Sequence, residues 1–398
     1  MIMRTVIVTD GEQRAALAVV RSLGADGWRC IVTSSSPGSI AGGSRFVART
    51  AAVPDALRHP AEFAAAIVSL AAAEKAAVVL PIAEQSLLSL LPVRELLDPA
   101  IIPFPDLQSF IALTNKERLL EEASKLGIAV PAQQILRDVN ALGSMDMSGL
   151  TYPVVLKPAR SVSSHEGIQA RNAVSYASDA SELQRSVRAL PPAAFPLLVQ
   201  QRIVGPGIGI FLLLWDGKLI AQFAHQRLTE KPASGGESVY RESVSMDEEL
   251  RDRSRALLNQ FGWRGVAMVE YKRDAATGQP YLMEVNGRFW GSLQLAIDSG
   301  VDFPRLLLGC AFGQAHEQMP AYTVGVRSRW WWGQVDHIVG RVRRSASMAP
   351  LLSHTRSTGR AVGDLLFGPL RRADYEEVLR WSDPVPFWNE TIRWIARR

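Results

Sequence analysis

The chain opens with short apolar runs separated by segments of helical period. TVIVTDG reads as a strand, EQRAALAVVRSLGADG as a helix stopped at Gly24 or Gly27, and RCIVTSS as the next strand. SSPGSIAGGS is a loop, AEFAAAIVSLAAAEKA a helix and AVVLPIA a strand. Strands alternating with helices predict a parallel sheet in a Rossmann-like α/β unit over residues 1–112. TDGEQRAA has one glycine at the first turn, so the dinucleotide fingerprint is absent.

From Thr114 the pattern changes. TNKERLLEEASKLG predicts a helix capped by Thr or Asn and closed at Gly127. YPVVLKPA is a strand, SDASELQRSVRAL a capped helix, and PLLVQQRIV a strand running into the glycine-rich turn VGPGIG. FLLLW and KLIAQFAHQRL form a hairpin around WDGK. DEELRDRSRALLNQFG is a helix ending at Gly262, and GVAMVEYKRD pairs with QPYLMEVNG across DAATGQ. WGSLQLAIDSGVDFPRLLLGCAFG is mostly helix. The middle of the chain is therefore antiparallel-rich α+β, and no internal repeat is present.

Composition adds limits. A chain of 398 residues, 47% hydrophobic and 21% charged, fits a folded protein of two or three domains and excludes wholesale disorder. Two distant cysteines, Cys30 and Cys310, exclude a disulfide framework and suit a reducing cytoplasm. MIMRTVIVTDGEQR reads as a first strand rather than a signal peptide. No run approaches the roughly 20 apolar residues that span a bilayer.

Charge is uneven. From Glu317 onward there are thirteen arginines, no lysine and eight acidic residues, which accounts for the whole formal net charge of +5. Six of the ten tryptophans lie in the same segment. YTVGVRSRWWW suggests a strand passing into a basic helix. Such an Arg/Trp tail suits packing back on the body, a protein-partner surface, or an interfacial helix at anionic lipid. HIVGRVRR is too short, and too poor in stacking platforms, for nucleic-acid binding.

The segment YLMEVNGRFWGS carries the sharpest chemistry. In a strand, Glu284, Asn286 and Arg288 share one face, and a polar row inside an apolar run is costly unless something polar meets it. Glu270 on the preceding strand comes beside Glu284 across the DAATGQ turn. Two carboxylates and an amide oxygen make a hard oxygen site suited to magnesium. The alternative is a solvated cross-strand pair whose charges are met by Lys272 or Arg288. Lys157 closes an apolar strand before the small-residue loop ARSVSSHEGI, and Lys116 begins a helix. Each is either a phosphate clamp or an ordinary surface lysine.

Lys116, YPVVLKP, LVQQRIVGPGIGIFLL, FAHQRL, SGGESVYRES, GWRGVAMVEYKRD and LMEVNGRFWGSL together resemble the ATP-grasp superfamily. The likeness is to its carboxylate–amine ligase branch, akin to the large-subunit domains of carbamoyl-phosphate synthase, over about residues 1–315. The resemblance implies a pre-ATP-grasp α/β domain (1–112), an ATP-grasp domain (113–316, with lobes about 113–200 and 201–316) and an Arg/Trp-rich C-terminal extension (317–398). It implies an enzyme using ATP and magnesium, with manganese as a substitute.

Residue by residue, Lys116 and Lys157 match the phosphate-contacting lysines. Ser163 lies in the phosphate loop SVSSHEG, and Gln200, Gln201 and Ile203 lie in the hinge that receives adenine. Glu270, Glu284 and Asn286 match the metal ligands, and Arg288 the arginine at the transferring phosphate. His225 and Arg227 fall where basic residues face the active site, and Ser238 and Arg241 in a loop that lies over substrate in relatives.

Departures stand beside these matches. Gln201 replaces an acid, Pro206 or Gly207 falls where a ribose-binding carboxylate usually sits, the phosphate loop has one glycine, Gly167, and NGR replaces NPR.

The implied activity joins a small-molecule carboxylate to an amine through an acyl phosphate in the cytoplasm. A kinase-like enzyme without ligation, a nucleotide-responsive scaffold acting through its tail, and a homodimer remain alternatives at this point. The acid and the amine are not named by the sequence.

Overall fold

The structure is a computed structural model that describes residues 4–165, 168–232, 235–314, 318–343, 357–368 and 371–397. The first unit is a parallel sheet of β1 (Thr5–Val8), β2 (Arg29–Ser34), β3 (Val47–Ala52) and β4 (Val78–Leu80), in the order β3-β2-β1-β4. Its apolar strands are buried on both faces, as continuous Val/Ile/Leu runs require in a parallel sheet. The helix Arg14–Ala25 packs on it and ends before Gly27, whose φ of +88° supplies the left-handed stop. The exposed, arginine-bearing strand VARTAA and the helix Leu107–Thr114 were not expected from the pattern.

A small antiparallel sheet follows. It comprises β5 (Gln133–Leu136), β6 (Val154–Pro158), β9 (Ser175–Ala177) and β10 (Leu197–Gln201), with the hairpin β7 (Val162–His165) and β8 (Ile168–Arg171) beside it. The helix Lys116–Lys125 precedes it, capped by Asn115, whose Oδ1 accepts from the amides of Glu117 and Arg118.

The large sheet holds β11 (Gly207–Trp215), β12 (Lys218–Lys231), β13 (Glu237–Ser243), β14 (Gly265–Arg273), β15 (Pro280–Asn286), β16 (Arg327–Arg329) and β17 (Asp374–Glu376). Among the described residues its order is β15-β14-β11-β12-β13-β16-β17. The β11–β12 hairpin turns at Asp216 and Gly217, both with positive φ, as a tight two-residue turn demands.

Core packing does not follow the chain segments. One apolar core runs unbroken from the parallel sheet into the large sheet, through Phe104, Phe110, Trp263 and Phe289. The small sheet has a separate core of Leu136, Val154, Leu156, Leu183, Val187, Leu197 and Val199.

The last fifth of the chain is woven into this body. β16 and β17 extend the large sheet past residue 316. Trp330 donates to Glu390 (2.7 Å), Trp332 to Thr391 (2.9 Å) and Trp394 to Asp336 (2.9 Å). Asp383 is buried and reaches back to the first unit, accepting from Arg21 Nε (2.8 Å), Ser44 Oγ (2.7 Å) and the Arg45 amide (2.9 Å). Removing one side of a buried ion pair leaves the other charge uncompensated. Asp383→Ala is therefore expected to lower unfolding free energy by about 3 kcal/mol, measured by chemical denaturation. An unchanged midpoint would show that the tail is not fastened there.

Candidate functional site

The site lies on the polar face of the large sheet. β14 and β15 run antiparallel with Glu270 opposite Glu284 and Met268 opposite Asn286. β11 and β12 place Gly209 opposite His225, and β12 and β13 place Arg227 opposite Arg241. Together with the small sheet and the first unit, these strands wall a cleft of about 580 Å³.

Of the sequence-predicted residues, Lys157, Gln200, Gln201, Ile203, His225, Arg227, Ser238, Glu270, Glu284, Asn286 and Arg288 line this cleft, whereas Lys116, Ser163 and Arg241 do not, and Ser238 and Arg241 lie in β13 rather than in a loop. Lys116 sits behind the wall, buried, with its Nζ donating to Ser161 Oγ (2.7 Å) and 3.8 Å from Glu284 Oε2. Ser163 lies in β7 with its Oγ buried and unpartnered among the described residues. Ser161, two residues earlier, is the loop serine on the cleft wall. Gly167 and Ser234 lie outside the described residues.

Cations converge on the two carboxylates. Lys157 Nζ is 3.6 Å from Glu284 Oε2 and donates to the Met283 carbonyl (2.9 Å). Arg227 pairs with Glu270 and, at 3.1 Å, with Glu230. Among the described residues neither carboxylate is ion-paired to Lys272 or Arg288. Burial would push Glu284 up, but Lys157 and Lys116, with Arg227 and Arg288 behind them, hold it down at about 2. Burial raises Glu270, partly opposed by Arg227 and reinforced by the Glu284 charge. The pair is thus split, with Glu284 the firmly ionised member.

Asn286 lies between Glu284 and Arg288. Its Nδ2 is 3.5 Å from Glu284 Oε1, and its Oδ1 accepts from Arg288 Nη2 (3.1 Å). Two carboxylates and an amide fit a hard divalent cation in donor type. In this arrangement Arg227 and Arg288 engage the oxygens of Glu270 and Asn286 that such an ion would take. No cluster of three His, Cys, Asp or Glu suited to a metal occurs among the described residues, so an ion here would draw on the amide or on phosphate oxygens.

His225 was expected as a basic group. It is 1% exposed, and burial first, then Arg227 and Arg241, push its pKa well below 6.5. These influences favour the neutral ring, which suits a hydrogen-bonding role better than a cationic one. Its Nδ1 is 3.4 Å from Ser292 Oγ, and its Nε2 has no partner among the described residues.

The hinge strand pairs on both sides, with Gln200 opposite Gln133 of β5 and Val155 of β6, and the ladder with β6 ends at Gln201. Gln200 Nε2 donates to Gln133 Oε1 (2.6 Å). The glycine of NGR has a steric cause: a Cβ on Gly287 would come 2.2 Å from the Trp263 ring. Trp263 fills the space a larger residue would need.

Sequence reasoning missed the groups that reach the cleft from outside the motifs. Glu84 and Gln85 come from the first unit, and burial raises Glu84 against the pull of Arg288 and Lys116. Arg14, at the start of the first helix, pairs with Glu237 on the lobe and Glu377 from the tail, and stacks over Trp330 at 4.1 Å. Glu377 also pairs with Arg241, which donates to the Ser238 carbonyl (2.6 Å). No local signal marks these residues, because each is defined by a partner over two hundred positions or one hundred positions away.

Residues 194–333 match the family model described as "ATP-grasp in the biosynthetic pathway with Ter operon". No curated protein sequence matches the chain. Among solved structures, the L-amino acid ligase from Bacillus licheniformis is 18% identical with a TM-score of 0.59, over 85% of this chain and 77% of that one. The biotin carboxylase domain of Hydrogenobacter thermophilus 2-oxoglutarate carboxylase, solved with MgADP and bicarbonate, is 18% identical with a TM-score of 0.62, over 82% and 74%. N5-carboxyaminoimidazole synthetase from Staphylococcus aureus, complexed with ADP, is 14% identical with a TM-score of 0.61, over 80% of each chain. The fold is the ATP-grasp fold, and its strand-borne polar face is the candidate site.

The buried neutral His225 gives a pH test. The unfolded chain gains a proton near 6.5 that the folded site resists, so the contribution is present above that pH and is lost as pH falls below it. Stability should drop by up to about 1.4 kcal/mol per pH unit from this group between pH 6.5 and 5. His225→Gln should flatten the fall in denaturation profiles, and an equally steep profile would place the imidazole's protonation elsewhere.

Proposed function

We propose that this protein is an ATP- and magnesium-dependent ligase that activates a carboxylate as an acyl phosphate and joins it to an amine, releasing ADP and phosphate. The reading is carried by Glu270 and Glu284, held side by side on paired strands with Lys157 and Arg288 in the same cleft. The fold supports it, as do neighbours whose names are ligase, synthetase and carboxylase, two of them solved with ADP or MgADP.

In this reading Glu284, Glu270 and the Asn286 amide would hold the metal, whose chemistry there would be charge neutralisation at phosphate. Lys157, backed by Lys116, and Arg288 orient the γ-phosphoryl group. A carboxylate oxygen of the acid takes that group and ADP leaves. The amine nitrogen then attacks the acyl carbon, the carbon–oxygen bond to phosphate breaks, and the nitrogen loses a proton. The hinge 199–203 receives the base, with Gln200, Gln201 and Ile203 on the wall. Walls from the first unit, the small sheet and the large sheet would keep water from the acyl phosphate.

The working division is a pre-domain of 1–112, an ATP-grasp body of 113–316 and an extension of 317–398. The extension supplies strands and Glu377 to the body, which disfavours a detached scaffold tail. The buried free thiols Cys30 and Cys310 suit a cytoplasmic setting, and no helix of the described residues is long and apolar enough to cross a membrane.

ADP release from purified protein with magnesium and pooled amino acids tests the reaction. Release that needs an added amine is expected; release with an acid alone would point to a kinase without ligation. Glu284→Ala should lower turnover on the order of 10³-fold, through loss of metal-borne charge stabilisation. Activity retained by that variant would remove the metal assignment.

A further inference from the structure

We propose that the last helix and the turn before it form a docking face for an anionic bilayer surface. The proposal is independent of the ligase reading. The helix Val385–Ala396 is apolar on two sides. Its inner side packs on the body, where Trp394 stacks on Trp332 with ring centroids 4.0 Å apart and Asn389 donates to the Ser39 carbonyl (3.2 Å). Its outer side carries Val385, Trp388, Ile392 and Ile395, between 50% and 65% exposed. Steps of three, four and three residues align them in one stripe along the helix. Trp381, just upstream, is 91% exposed. Single exposed apolar side chains are ordinary, but four large ones along one helix stripe, with a fifth four residues upstream of it, mark a surface that meets something.

Charge says what that is. Between residues 381 and 397 the acids are Asp383 and Glu390, and both are buried and engaged, by Arg21 and by Trp330. The outward face of this segment therefore presents no carboxylate. Exposed cations flank it: Arg397 follows the stripe, and Arg45 donates to the Ser382 carbonyl (3.2 Å) beside Trp381. A two-fold pairing with a second copy would bring arginine toward arginine with no acid to meet either. A layer of anionic headgroups over acyl chains supplies both complements, and tryptophan favours that boundary. The helix is 12 residues long, so it lies on such a surface rather than crossing it.

The test uses the full-length protein and sedimentation with vesicles. Vesicles containing phosphatidylglycerol should carry the protein down, less so as salt rises, with tryptophan emission moving to the blue. Pure phosphatidylcholine vesicles should not. Trp388→Ser with Ile392→Ser changes two exposed side chains, so thermal unfolding should be unaltered while vesicle affinity falls roughly tenfold or more. Four results would overturn the proposal: no binding to anionic vesicles, equal binding to neutral ones, binding unaltered in the double variant, or a dimer in light scattering that the double variant disperses. The last would assign the face to a second copy.

Discussion

Two carboxylates placed side by side in a buried cleft are tolerable only when cations meet them. Here the cations come from four segments far apart in the chain. Lys116 starts a helix, Lys157 ends β6, Arg227 lies in β12 and Arg288 follows β15. Each must be delivered to one face of one sheet, so the site fixes the register of β14 against β15 and the seating of the small lobe against both. In the proposed reading, the same excess of positive charge would turn toward the phosphate oxygens of an entering nucleotide. A cleft neutralised by its own arginines and lysines is thereby prepared for a ligand bearing the charges that those groups would otherwise balance.

Much of this was written in the local pattern. Alternation in YLMEVNGRF puts three polar groups on one face, and the DAATGQ turn sets Glu270 against Glu284, as the register shows. Glycine stops, the Asn115 cap and the WDGK hairpin were readable because backbone chemistry is local. Three things were not. VARTAA carries no apolar alternation, since it lies at the sheet edge with its arginine toward solvent. The protonation state of His225 depends first on burial and then on Arg227, two residues along the same strand, and Arg241 on the next strand; the burial and Arg241 are not visible in any window around FAHQRL. Glu377 looks like one acid among several in ADYEEVLR, yet it is the counter-charge of both Arg14 and Arg241.

The extension shows how composition can mislead about placement. An Arg/Trp-rich segment after a complete-looking domain suggests an appendage. Its tryptophans divide instead: Trp330, Trp332 and Trp394 are bonded into the body, whereas Trp381 and Trp388 face outward. Its acids do the fastening, through Asp383 to the first unit and Glu377 to the cleft wall. Removing the segment would uncover sheet edge and unpair the buried guanidinium groups of Arg14, Arg21 and Arg241 together.

The separate core of the small sheet has a mechanical consequence. Leu136, Val154, Leu183 and Val199 are buried among themselves, so most of that lobe's apolar interior would travel with it, whereas Leu198 of β10 sits in the shared core and ties the lobe to the body. Polar contacts tie the lobe as well, among them Lys157 to the Met283 carbonyl, Lys116 to Ser161 and the Gln169 amide to the Leu57 carbonyl. In the proposed reading, release of spent nucleotide would therefore meet a barrier set by Leu198 and these polar contacts together.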